Sequence, residues 1–108
     1  MNTIAVLKAL GEPMRFKIFS CLLERKHCVR SLSQKLGITE SAISQHLKIM
    51  READMIYGEK YGYHTHYLPK QEALDGLSEL FKAMQRKSID PDRNMAVCQC
   101  EYREGTGM

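Results

Sequence analysis

The chain has 108 residues, 44% hydrophobic and 27% charged, and its formal net charge of +3 permits a polyanionic partner without requiring one. That length fits one small domain with a modest core, so association with a second copy would help to stabilise it. No apolar run reaches the roughly 18 residues that span a bilayer, and the N-terminus lacks the apolar region and cleavage site of a secretion signal, so a cytoplasmic protein with no membrane partner is expected.

Ile4, Val6, Leu7 and Leu10 predict a short amphipathic helix from Thr3 to Leu10, ended by Gly11 and too short to be stable alone. Glu12-Pro13 restarts the chain with proline at a favoured first-turn position, and Phe16, Phe19, Leu22 and Leu23 predict a core stripe through about Leu23 or Glu24. Arg15 and Lys17 are expected in solvent and Cys21 as a small packing residue. A polar connector, Glu24 to His27, leads into a short helix whose Val29, Leu32 and Leu36 share a face and whose stop is Gly37.

Thr39 is a good N-cap for the next helix, in which Ile43, Leu47 and Met50 recur at spacings of four and three and must face a core. At about 100° per residue, Ser41, Ser44, Gln45 and Lys48 fall on another face, which carries amide, hydroxyl and ammonium groups but no acid. Glutamine pairs bidentately with adenine, serine bonds to several base edges, and lysine reaches guanine or phosphate, so this face has the chemistry of major-groove readout. An ordinary solvated helix face is the alternative from this window alone.

After Met55 the pattern changes to IYGEKYGYHTHYLP, where tyrosines and β-branched residues flank a turn at Gly62 and predict a β-hairpin. Lys60 and Lys70 are its nearby cations, and Tyr61, Tyr63, His64 and His66 can donate hydrogen bonds, so its tip suits a phosphate backbone or minor groove; a tip without a partner is the alternative. His64 and His66 also have ligand-capable spacing on one strand face. From Gln71 to about Lys87, Leu74, Leu77, Leu80, Phe81 and Met84 predict a long helix whose apolar patch calls for pairing with its copy in a second chain, beside the first helix. Ser88, Asp90 and Pro91 stop it. The expected fold is mainly α with a small β-hairpin, a winged helix-turn-helix in the order α-α-α-α-β-β-α; residues 1–87 form its DNA-binding and dimerisation domain and residues 88–108 a cysteine-containing tail.

This order, carried by LGEPMRFKIFSCLL (Leu10 to Leu23), HCVRSLSQKLGITESAISQHLKIMREADMI (His27 to Ile56) and YGYHTHYLP (Tyr61 to Pro69), resembles the ArsR/SmtB family of winged-helix metalloregulatory repressors, most closely the arsenical-responsive members. The resemblance implies a homodimer that binds a palindromic operator, blocks transcription and lets go when an inducer binds. It places Ser41, Ser44, Gln45, His46 and Lys48 in or beside the major groove, with Lys60 and Tyr63 on the wing. Two departures bear on the inducer. Arsenite-sensing members carry a Cys-Val-Cys cluster at the start of the helix before the turn, whereas here only Cys28 remains and Arg30 stands where the second thiol would be. The helix from Gln71 to Lys87 has no histidine, which disfavours the zinc site of the zinc-sensing members.

Cys98 and Cys100 form a Cys-x-Cys pair that can place two sulfurs on one soft ion, and Cys28 would supply a third. Three thiolates suit trivalent arsenic or antimony; with His27 or a water as fourth ligand they suit cadmium, lead or zinc. Oxidation of the same thiols to a disulfide or persulfide is the metal-free alternative, and unrelated cysteines in a tail are the bland one. A thiol metal carrier that uses the winged helix as a scaffold is a separate reading, opposed by the acid-free helix face. No Ser/His/Asp set, phosphate loop or paired acids at catalytic spacing is present, so an enzyme is not expected.

Overall fold

The computed structural model describes residues 2–92, 98 and 100. Its elements are α1 (Thr3–Leu10), α2 (Pro13–Glu24), α3 (Val29–Leu36), α4 (Glu40–Glu52), β1 (Ile56–Tyr61), β2 (His64–Pro69) and α5 (Gln71–Ser88), the predicted order. The chain divides into two compact units, residues 1–78 and 79–108. No helix among the described residues is long and apolar enough to cross a membrane.

Each of the first four helices starts on a side chain that accepts a hydrogen bond from a backbone N–H which the helix itself leaves unpaired. Asn2 caps α1 and Thr39 caps α4, each accepting at 3.1 Å. The Glu12 carboxylate caps α2, accepting from the N–H groups of Met14 (2.7 Å) and Arg15 (3.2 Å), with Pro13 in the first turn. Cys28 caps α3 through its sulfur, which accepts from the Ser31 N–H at 3.4 Å. Gly37 ends α3 with a φ of 70°, a left-handed conformation that glycine adopts at no steric cost, so only three residues separate α3 from α4.

The core of the first unit is built from Val6 and Ala9 of α1, Ile18, Phe19, Cys21 and Leu22 of α2, Leu32 of α3, Ile43, Leu47 and Met50 of α4, then Met55, Ile56, Ala73 and Leu77. The stripes predicted for α3 and α4 are thus the observed ones, although Val29 and Leu36 lie at the core's margin. In α2 the structure corrects the prediction. Phe16 and Leu23 are 58% and 51% exposed, and Ile18 is fully buried in their stead. Apolar residues surround α2 almost completely, so spacing alone does not choose the inward side. Arg15, expected in solvent, is partly buried. The C-terminal half of α5 leaves Phe81 (48%) and Met84 (55%) exposed.

Strands β1 and β2 pair antiparallel from Ile56↔Pro69 to Tyr61↔His64. The loop is Gly62-Tyr63, with φ of 61° at the glycine, the requirement of a II′ hairpin turn. A second attachment was not anticipated: His27 and Tyr67 form a β-bridge, the Tyr67 N–H donating to the His27 carbonyl at 2.8 Å and the His27 N–H to the Tyr67 carbonyl at 3.4 Å. The wing is thereby tied to the residue that precedes Cys28.

Ile43 is fully buried, and its truncation leaves a cavity where α4 meets the core. Ile43→Ala is expected to lower unfolding stability by about 2–5 kcal/mol, measured by chemical denaturation.

Candidate functional site

With Ile43, Leu47 and Met50 turned inward, Ser41, Ser44, Gln45 and Lys48 are all exposed. Burial of the stripe, rather than any contact among these polar groups, gives the face its direction. On the wing Lys60 is exposed and Tyr63, at the loop, projects fully into solvent. Lys70 is not a free wing cation: its ammonium is bonded to the Asp54 carboxylate, which raises the lysine's pKa. His66 lies against Tyr61 with ring centroids 5.1 Å apart, and Lys26 stands 4.1 Å over the same Tyr61 ring. That packing covers the ring of His66, whose buried Nδ1 has no hydrogen-bond partner among the described residues.

His46 occupies a different position from its neighbours. Its Nδ1 lies 3.4 Å from Arg15 NH1 and 3.4 Å from Glu12 Oε2, at the start of α2. Sequence reasoning placed it beside the groove and did not pair it with residues more than thirty positions earlier.

Cys28 is half-buried. Burial works to raise its thiol pKa, but hydrogen bonds from the Ser31 backbone and side chain and from the Arg30 N–H outweigh it and hold the thiol below its usual value. His27 beside it is buried, with Nδ1 at 2.9 Å from Ser31 Oγ and Nε2 without a partner. Burial, with the Lys35 and Arg25 charges added, pushes the His27 pKa down, so its neutral form is favoured. Cys28, Val29 and Arg30 border a cleft of about 500 Å³ whose other walls are Glu40, the first residue of α4, and Tyr63, His64, Thr65 and Tyr67 of the wing. One surface therefore joins the capping thiol, the start of α4 and the wing.

Cys98 and Cys100 are exposed, and their sulfurs lie 3.0 Å apart. They belong to the second unit and Cys28 to the first. Among the described residues no three of His, Cys, Asp and Glu are grouped so as to hold a metal. The start of α3 offers one thiol beside the Arg30 cation and does not by itself fit a thiophilic ion that needs three sulfurs; the Cys98–Cys100 pair fits two of its positions.

Two helices joined through a glycine, a polar outward face on the second and a two-stranded wing define a winged helix-turn-helix protein. The family model for bacterial regulatory protein, arsR family, matches residues 12–57. The chain is 32% identical over 97 residues to YbzH, an uncharacterized HTH-type transcriptional regulator of Bacillus subtilis, spanning 76% of this chain and 97% of that one. It is 36% identical over 87 residues to the arsenical resistance operon repressor of the same organism, spanning 79% of this chain and 83% of the repressor. A crystal structure of a possible transcriptional regulator for arsenical resistance is similar with a TM-score of 0.67 and 27% identity, covering 85% of this chain and 96% of that one. The chain belongs to the arsR family of bacterial regulatory proteins.

The capping bonds give Cys28 a measurable signature. In a variant with Cys21, Cys98 and Cys100 replaced by serine, the rate of Cys28 alkylation is expected to rise with pH to a plateau whose midpoint lies below that of an unperturbed thiol. Ser31→Ala removes one of the bonds that favour the thiolate, so the midpoint moves up.

Proposed function

We propose that the chain is a homodimeric transcriptional repressor that reads its operator with α4 and the wing and is released by a thiophilic effector bound through cysteine thiolates. The observation that carries the DNA-binding part is the exposure of Ser41, Ser44, Gln45 and Lys48 together on one face of a helix whose opposite side is buried. Glutamine and serine supply base-edge contacts in the major groove, Lys48 a guanine or phosphate contact, and Lys60 and Tyr63 contacts to the backbone beside it. Exposed Ile4 and Phe16 in the first unit, and Phe81 and Met84 in the second, supply apolar surface for pairing two copies. Residues 1–87 would serve DNA and dimer, and residues 88–108 the effector.

For the effector the reading is trivalent arsenic or antimony, held by Cys98 and Cys100 with Cys28 as third ligand. It is supported by the proximity of the two tail sulfurs and by the thiol at the start of α3, whose hydrogen bonds lower its pKa against burial. The similarity to an arsenical resistance repressor points the same way. The α3 cap would couple such binding to the DNA reader wherever the ion draws the sulfur away from the Ser31 N–H that it caps. A soft divalent ion would use the same sulfurs. A second reading, oxidation or persulfidation, is favoured by one feature: the 3.0 Å separation of Cys98 and Cys100 needs no third ligand for thiol chemistry.

Titrating arsenite, antimonite, cadmium, zinc and a persulfide donor against the protein on its own promoter DNA separates these effectors. Arsenite is expected to release the DNA. The double variant Cys98→Ser/Cys100→Ser should bind DNA as before and fail to respond; an unchanged response would sink the tail site. On the DNA side, Lys48→Ala and Lys60→Ala are each expected to weaken binding and reduce its logarithmic salt slope by about 1. Gln45→Ala should instead relax base preference at one position by about 1–3 kcal/mol, measured with a panel of substituted operators.

A further inference from the structure

We infer that His46 is a positioning residue for operator recognition, fixing α4 to the start of α2 through Glu12 and Arg15, and does not itself touch DNA; this rests on the DNA-binding reading above. On α4 His46 is two residues from both Ser44 and Lys48, which places it about 160° around the helix axis from either. It is three residues after Ile43 and four before Met50, so it belongs to the buried side.

There its Nδ1 meets two groups of opposite demand. Arg15 can only donate, so the 3.4 Å approach of its NH1 is a hydrogen bond when Nδ1 is bare. The Glu12 carboxylate can only accept, so the 3.4 Å approach of its Oε2 is a bond when Nδ1 carries a proton. Either protonation state leaves the ring one partner on α2. Both partners are themselves fixed: Glu12 accepts from the Met14 and Arg15 N–H groups, and Arg15 Nε donates to the Ala9 carbonyl at 2.7 Å. The Met14 bond foremost, against partial desolvation, holds the Glu12 carboxyl below its usual range and keeps it an acceptor. Through His46 the reading helix is thus referred to the end of α1 and the start of α2. Apolar packing permits small rotations of a helix; a polar pin of this kind opposes them, and rotation would move Ser44, Gln45 and Lys48 off their base edges.

The test is operator affinity by fluorescence anisotropy at several salt concentrations, for the unmodified protein, Glu12→Gln, His46→Ala, His46→Gln, Lys48→Ala and the doubles of Glu12→Gln with His46→Ala and with Lys48→Ala. Glu12→Gln keeps an acceptor for the α2 cap while removing the charge. His46→Ala is expected to weaken binding by about 10-fold; Glu12→Gln, which leaves Arg15 able to donate to Nδ1, should weaken it less, and their double should be little weaker than His46→Ala alone, because the Glu12 contact acts through His46. The Lys48 effect should add in full to that of Glu12→Gln. His46→Gln, which can both donate and accept, should recover part of the affinity, and it carries the test if the alanine variant melts early. His46→Ala should keep the unmodified salt slope. Full additivity of His46→Ala with Glu12→Gln, a salt slope reduced by about 1, or unchanged affinity would each overturn the inference. Failure of the unmodified protein to bind its promoter DNA would overturn the DNA-binding reading and this inference with it.

Discussion

Burial of one stripe on α4 is the constraint on which the rest depends. Ile43 and Met50 have no exposed surface, and Leu47 almost none. Each such side chain contributes about 1.5–3 kcal/mol when removed from water, so the three together keep this side of the helix inward, a large share of a net domain stability of about 5–15 kcal/mol. The polar face carries no comparable interaction of its own. Ser41, Ser44, Gln45 and Lys48 are presented because turning them inward would cost both their hydration and the stripe's burial.

The wing is held by a different means. A lone two-stranded hairpin is marginal in water, and this one gains its anchor from Ile56 in the core and from the bridge between His27 and Tyr67. The bridge joins the connector before α3 to the wing through one residue pair. It also puts Cys28 one residue from a wing attachment and at the border of the cleft that Glu40 and Tyr63 share. The capping thiol, the first turn of α4 and the tip of the wing are therefore neighbours, although 35 positions separate Cys28 from Tyr63.

Which features were legible in the sequence follows from how local their causes are. Helix boundaries came through because they rest on caps within three residues: Thr39 before α4, Pro13 in the first turn of α2, Gly37 after α3. The stripe of α4 was legible because polar residues fill most of the other positions, Ala42 and Ile49 excepted. In α2 they do not, and the inward side was fixed by the neighbours that Ile18 meets, so Phe16 and Leu23 were misplaced. The pairs His27–Tyr67, Glu12–His46 and Asp54–Lys70 join residues 16 to 40 positions apart and leave no periodic trace. Of the candidate site, the polar face of α4 was visible as composition on one side of a helix. The cap at Cys28 was not, since cysteine is an unusual acceptor at that position. Of the tail expected over residues 88–108, residues 93–97, 99 and 101–108 lie outside the described residues.

Energies set what a switch at Cys28 has to accomplish. Releasing an operator by 100-fold requires about 2.7 kcal/mol of difference in effector affinity between the free and bound forms. Loss of an N-cap costs about 1 kcal/mol, and a sulfur acceptor at 3.4 Å belongs at the low end of that scale. Two protomers of the proposed homodimer, uncapped together, would reach at most about 2 kcal/mol, short of the requirement. Under the proposed function the remainder would come from displacing the DNA reader itself, and the cleft beside Cys28 is walled by Glu40 at the start of α4 and by Tyr63 to Thr65 of the wing. A bulky group on the sulfur would press on both. Under the proposed function, uncapping α3 and displacing the wing are complementary parts of one response, and the tail cysteines act by bringing the effector to a thiol that has these two levers beside it.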